Sequence, residues 1–137
     1  MSFVTERTAL EGKFAAWTET RVKYVGRPFL EPAVAYIYPV VIDGAAQEVT
    51  FGQPIQRRHV GVISILILDK ENKTDGDARI RAIADMLEAL FIGANSRVTI
   101  STSEYIDFSA PSLSSWSQSS GWQQRTLTIP FTRDHFQ

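Results

Sequence analysis

Apolar positions near the start of the chain recur at helical spacing. Phe3, Leu10, Phe14 and Trp17 stand seven, four and three residues apart and share one face of a helix predicted over residues 2–18, with Ser2 as its candidate N-cap. Gly12 costs that helix about 1 kcal/mol relative to alanine, so packing of the aromatic stripe has to hold it. Residues 22–25 offer a short β-prone piece, and Pro28 and Pro32 bound a stiff connector. Over residues 33–42 the period changes to two. Val34, Tyr36, Tyr38, Val40 and Ile42 share one face of a strand, while Ala35, Ile37 and Val41 share the other, so both faces are at least partly covered. Pro39 has no N–H to give to a ladder, which predicts an edge or a break at that point.

Residues 43–54 open on a turn dipeptide and carry a second glycine and a proline, the pattern of an exposed loop, an arm or a small hairpin on residues 49–51. The best-patterned stretch of the chain follows at 56–91. Its strand, 56–68, is apolar on both faces from Val60 onward and belongs in the middle of a sheet. Residues 69–77 form an acidic turn in which Thr74 or Asp75 caps the next helix and Asp77 complements its dipole. Ile80, Ile83, Ala84, Leu87, Leu90 and Phe91 then make the face of a helix lying against a sheet, closed by Gly93. Residues 97–108 alternate as a third strand. Residues 109–121 hold seven serines in thirteen positions and read as a flexible loop, and 122–131 form a last strand that Pro130 places at an edge or an end. The order helix, strand, strand, helix, strand, strand predicts the α+β class: one single-domain sandwich over residues 1–137, its mixed or antiparallel sheet of four to five strands carrying two helices on one face.

Composition narrows the partners. At 137 residues and 44% hydrophobic content, the chain can build one core without metals or disulfides. Fourteen basic against fifteen acidic residues leave a formal charge of −1, which gives no global attraction to nucleic acid or to an anionic membrane. With no cysteine, disulfides, thiolate nucleophiles and thiolate metal sites are removed together. The start MSFVTERTALEGK puts acidic and polar residues where a signal peptide needs a basic start and an apolar core, and the apolar run from Val60 stops at Asp69, well short of a spanning helix. A soluble protein with no membrane partner is expected.

The residues that carry chemistry are few. Neither His59 nor His135 has a second ligand at zinc spacing, and no nucleophile elbow, phosphate-cradling loop or dinucleotide glycine fingerprint is present. A loop serine with His59 is the nearest approach to a triad, and a flexible serine is poorly preorganised for it. Glu104 and Asp107, three apart on a strand, point to opposite faces. Asp69, Glu71, Asp75 and Asp77 gather in the acidic turn, where Lys73 spoils the fifth position of a calcium loop begun at Asp69. Helix capping accounts for the same carboxylates; the sharper reading is weak divalent binding shared between subunits. Arg57, Arg58 and His59 are the densest cationic spot, Arg21, Lys23 and Arg27 a second, and neither is interleaved with the aromatics of a base-stacking platform. They are solvated strand ends or, more sharply, contacts for a neighbouring subunit's acidic turn or for passing phosphates. No catalytic residue, cofactor or metal is assigned.

Taken in order, a helix ending in Trp17, the lead Pro28-Phe29-Leu30-Glu31-Pro32 into a strand, and a long loop come first. Arg58-His59-Val60-Gly61 then opens a strand, Gly76-Asp77-Ala78 leads into Ala84-Asp85-Met86-Leu87 and Leu90-Phe91, and Gly121-Trp122 precedes Thr128-Ile129-Pro130-Phe131. Over nearly the whole chain this pattern resembles the tail terminator family of long-tailed bacteriophages, which includes the lambda-type minor tail protein that caps the tail tube. The resemblance implies a non-enzymatic virion protein that forms a homohexameric ring at the head-proximal end of the tail, assembled in the host cytoplasm. Such a ring stops tube polymerisation and presents a surface for head joining. Its partners would be other copies of itself, the tail tube protein and a head-completion or connector protein, with DNA only as cargo through the ring. Arg57, Arg58, His59, Asp69, Glu71, Asp75, Asp77 and Trp116 are the expected subunit or tube contacts, with 43–54 and the serine loop ordering on docking. Another phage neck or tail-completion protein is the first alternative, and a small hydrolase with a loop-built site is the second.

Overall fold

Along the chain the elements are α1 (Phe3–Glu11), a 3-10 turn (Gly12–Phe14), β1 (Arg21–Val22), β2 (Tyr36–Glu48), β3 (Gln56–Lys70), α2 (Gly76–Glu88), β4 (Arg97–Ser101), β5 (Glu104–Phe108), β6 (Ser112–Leu113), β7 (Ser117–Ser119) and β8 (Trp122–Phe136). They are seen in a computed structural model that describes residues 3–32, 35–48, 56–70, 76–119 and 121–136. The strands form a single sheet in the order β1-β2-β3-β8-β5-β4, with β6 and β7 added along β8. Every pairing is antiparallel except that of β1 with β2.

The class is α+β, but the predicted sandwich of four to five strands with two helices packed on it is wrong: the sheet has eight strands and curls into a half-barrel. Local chemistry explains the extra strands. Residues 97–108 are a hairpin, because at its tip the Ser103 N–H donates to Ser101 Oγ (3.3 Å) and breaks the alternation. The serine-rich stretch is not a free loop, since Ser112–Leu113 and Ser117–Ser119 pair with the long β8. Within 43–54, β2 continues to Glu48 and pairs back to Arg57, making hairpin arms of what reads as loop; the tip, 49–55, lies outside the described residues. Pro130 is not at a sheet edge. It faces the junction where β8 exchanges partner from β5 to β6, and there its missing N–H leaves no ladder bond broken.

The two helices follow their sequence patterns in part. α1 stops at Glu11, where Gly12 weakens the helix and the next turn tightens to 3-10, yet Phe14 is still buried. Trp17 is half-buried beyond the helix and its indole N–H donates to Thr20 Oγ1 at 2.9 Å. In α2 the face Ile80, Ile83, Ala84 and Leu87 is buried as the 3.6-residue period requires. The predicted caps Thr74 and Asp75 lie outside the described residues. Past the helix end, Gly93 takes a left-handed φ of +59°, which a side chain would strain.

One face of the sheet, the core face, carries Ile37, Ile63, Ile65, Ile67, Leu127 and Ile129 against Leu10, Phe14 and the apolar side of α2. On the outer face a smaller cluster of Tyr36, Leu68 and Trp122 is covered by Phe29 from the proline-bounded connector. Away from that cover, Ile42 and Val60 on the outer face are 53% and 40% exposed. Between the two faces β3 passes close to its neighbours at Gly61, where an added Cβ would meet the Phe131 ring at 2.7 Å and the Ile42 carbonyl at 2.8 Å.

Candidate functional site

Strand alternation divides the basic triplet between the two faces. His59 and Arg57 continue the core-face series Ile67, Ile65, Ile63, Gly61, while Arg58 points outward with Val60 and Val62. The three residues therefore do not act as one cationic patch.

On the outer side Arg58 grips Asp134 of β8 with two hydrogen bonds, Nε to Oδ1 at 2.8 Å and Nη2 to Oδ2 at 3.2 Å. Asp134 is buried, and the pairing raises the Arg58 pKa above its ordinary value. Arg97 and Asp107 form a second bidentate pair (2.6 and 2.9 Å) with the guanidinium over the Tyr105 ring at 4.0 Å. Arg58→Glu leaves buried Asp134 without its partner and sets a second carboxylate beside it from a half-exposed position, so a loss of about 1–2 kcal/mol in urea unfolding is expected. A variant as stable as the parent would show that the pair contributes nothing. The same charge reversal is therefore unsuited to probing assembly alone.

On the core side the end of the sheet closes around α1. Glu6 and Arg133 are both almost fully buried and form an ion pair at 3.1 Å, with the guanidinium 5.3 Å from the Phe3 ring centroid. Burial, and then a hydrogen bond to the Asp43 carboxyl, push Glu6 up to about 8; Arg133 pulls the other way without prevailing. Two carboxyls beside one guanidinium are neutral overall when they share one proton, which is the state this environment favours. His59 stands edge-on to Phe3 with centroids 6.2 Å apart, and burial, reinforced by Arg133, lowers its pKa. His135 and Glu104, opposite each other on β8 and β5, approach to 3.6 Å.

A cavity of about 300 Å³ lies between α1 and β2 beside this cluster. Leu10, Phe14, Val25, Pro39, Val41 and Ile63 give it an apolar lining, with Glu6 and Asp43 among the polar residues at its wall.

The acidic turn is engaged by its own chain wherever it is described. Asp69 is fully buried, accepts the Lys70 N–H at 2.9 Å and lies 3.9 Å from Arg79. Asp77 takes Arg125 of β8 at 2.7 Å and Arg81 at 3.0 Å, and those hydrogen bonds lower its pKa. Asp77 thus ties the start of α2 to the sheet. Glu71 and Asp75 lie outside the described residues. Among the described residues no three His, Asp or Glu side chains converge as a metal site. Trp116 lies near the same end of the sheet, exposed, its indole N–H donating to Gln123 Oε1 at 3.2 Å, while the Gln123 amide donates to the Lys70 carbonyl.

Of the expected contact residues that are described, the structure sets Arg57, Arg58 and His59 at one end of the sheet and Asp69, Asp77 and Trp116 towards the other, and it brings together Glu6, Asp43, Arg133 and His59, of which only the last stands out in the sequence as a candidate. A signal existed for two of the others. Glu6 lies three after Phe3 and four before Leu10, on the apolar stripe of α1, and Arg133 continues the inward alternation of Leu127, Ile129 and Phe131.

No protein-family model matches the chain, and no curated protein matches it. Solved structures do share its fold. One of them, whose name states no function, aligns over 100% of this chain and 96% of its own with a TM-score of 0.70 at 18% identity, a likeness of fold alone.

Proposed function

We propose that this protein is a structural phage tail protein of the terminator type. In this reading it joins copies of itself head to tail into a ring, hexameric in the family it resembles, on the head-proximal end of the tail tube. The ring stops tube growth and offers the surface to which a head-completion protein docks, and DNA passes through it as cargo. The observation that carries the reading is a pair of unlike apolar surfaces on opposite faces of one sheet. Ile42 and Val60 are bare on the outer face, and Phe3 and Val4, 59% and 74% exposed, project from α1 on the core side. A two-fold dimer needs one self-complementary patch, whereas a head-to-tail ring docked on a tube needs different ones.

The hydrolase alternative calls for a deep polar pocket holding His59. The cavity described above is apolar, and neither His59 nor a serine lines it.

The test is recovery of the purified protein on tail tubes lacking heads, with mass by light scattering. Binding to such tubes at ring stoichiometry is expected. Val60→Asp should weaken tube binding at least about tenfold with an unchanged circular dichroism spectrum, because an unpaired carboxylate buried in a contact costs several kcal/mol. Recovery on head connectors, with none on tubes, would move the assignment to a neck protein.

A further inference from the structure

We propose that copies of this chain join by parallel pairing of β4 in one copy with the free edge of β2 in the next, Arg97 opposite Val40 and Thr99 opposite Ile42. The proposal rests on the ring reading and names its joint.

Both edges are open among the described residues. β1 covers β2 only at Tyr36 and Ile37, where the Lys23 N–H donates to the Ile37 carbonyl at 2.8 Å. The backbone groups of Ile37 therefore point away from β3, and so by alternation do those of Pro39, Val41 and Asp43. At the other end of the sheet β4 pairs with β5 alone. There the Phe108 N–H donates to the Ser96 carbonyl at 2.8 Å, so Ser96 and Val98 bond inward and Arg97 and Thr99 bond outward.

Direction and facing then select the joint. Four successive antiparallel steps separate β2 from β4, so the two run the same way. Copies set side by side in like orientation must pair them in parallel, the arrangement that β1 already begins on this edge. The outward-bonding residues face the core on β2 and the outer side on β4, where Val98 and Ile100 are the core-packed positions. Parallel strands bond through residues of opposite facing, so every core stays on the same side of the continued sheet. Antiparallel pairing would set those residues directly opposite and turn alternate copies over.

The edge also admits only one register. Pro39 has no N–H, and a bulge follows Asp43. Between them, the Arg97 N–H meets the Pro39 carbonyl, the Val41 N–H meets the Arg97 carbonyl, the Thr99 N–H meets the Val41 carbonyl, and the Asp43 N–H meets the Thr99 carbonyl. A shift of two residues one way would need a proline N–H, and a shift the other way runs into the bulge. The neighbour's Val98 and Ile100, half-buried on their own subunit, then face the side of the apolar cavity under α1. Strand addition of this kind draws affinity from main-chain hydrogen bonds and specificity from alternate side chains.

The chain has no cysteine, which makes the test direct. Ile42→Cys and Thr99→Cys, introduced together, sit opposite each other on the outer face at about 4.8 Å between strands, within reach of a disulfide. Oxidation should give a ladder of covalent multimers ending at the ring, and each single variant should stay monomeric on a non-reducing gel. No ladder from the double variant overturns the joint, and so does a covalent dimer from either single variant, which would mean that like edges meet. Light scattering separates the failures: a ring mass without a ladder removes the joint and leaves the ring, whereas a parent protein monomeric both free and with tail tubes removes the ring reading as well.

Discussion

Replacing Glu6 with glutamine should leave stability near pH 4 almost unchanged and abolish most of its fall between pH 5 and pH 8. In the folded chain the carboxyl is raised from 4.5 to about 8 by burial and by the Asp43 carboxyl. A carboxyl with a higher pKa folded than unfolded keeps its proton longer in the fold. Its stabilising contribution is therefore fully present below pH 4.5 and is lost as the pH rises through about 8. A tenfold difference in proton affinity between the folded and unfolded chain is worth about 1.4 kcal/mol, so the parent should lose roughly 2–3 kcal/mol between pH 6 and pH 8 and then level off. Glutamine keeps a donor for Asp43 and an acceptor for Arg133 with no proton to lose. Urea unfolding of both proteins across this range is the measurement, and parallel profiles would show that Glu6 is already ionised against Arg133.

Phe91→Ala should cost about 3–5 kcal/mol, enough to threaten the fold of a small domain. The ring is 1% exposed and lies between Phe14 and Phe108, with centroids 6.0 and 4.9 Å away. It therefore joins the turn after α1, the end of α2 and β5 in one contact set. Truncation loses the transfer free energy, leaves a cavity and breaks two aromatic pairs, each worth about 0.5–1.5 kcal/mol. The neighbouring Ile92 points to solvent, and Ile92→Ala should cost less than about 1 kcal/mol. Denaturant midpoints of the two variants decide the matter, and a Phe91→Ala loss no larger than that of Ile92→Ala would refute the packing account.

Periodicity made much of the scaffold legible. The α2 stripe and the central place of β3 follow from spacing and β-branched content, because burial of a regular element imposes a fixed period on its apolar residues. The hairpin arms past Asp43 were not legible. Polar and small residues there read as loop, and only pairing with distant Arg57, Arg58 and His59 makes them strand. The two strands inside the serine-rich stretch form for the same reason, since β8 supplies partners that local composition does not announce. Tertiary pairing overrides weak propensity at such places.

By itself the sequence determined which faces must be buried, that Gly12 weakens the first helix, and that Pro39 suits a strand edge. Those are local properties, set by the geometry of a helix or a strand. Only the tertiary structure decided that Glu6 and Arg133 meet at 3.1 Å, that Arg58 turns to Asp134 while His59 turns to Phe3, and that β4 and the part of β2 beyond β1 run in the same direction and are open edges among the described residues. Each depends on strand order and register across long sequence separations, which no single segment encodes.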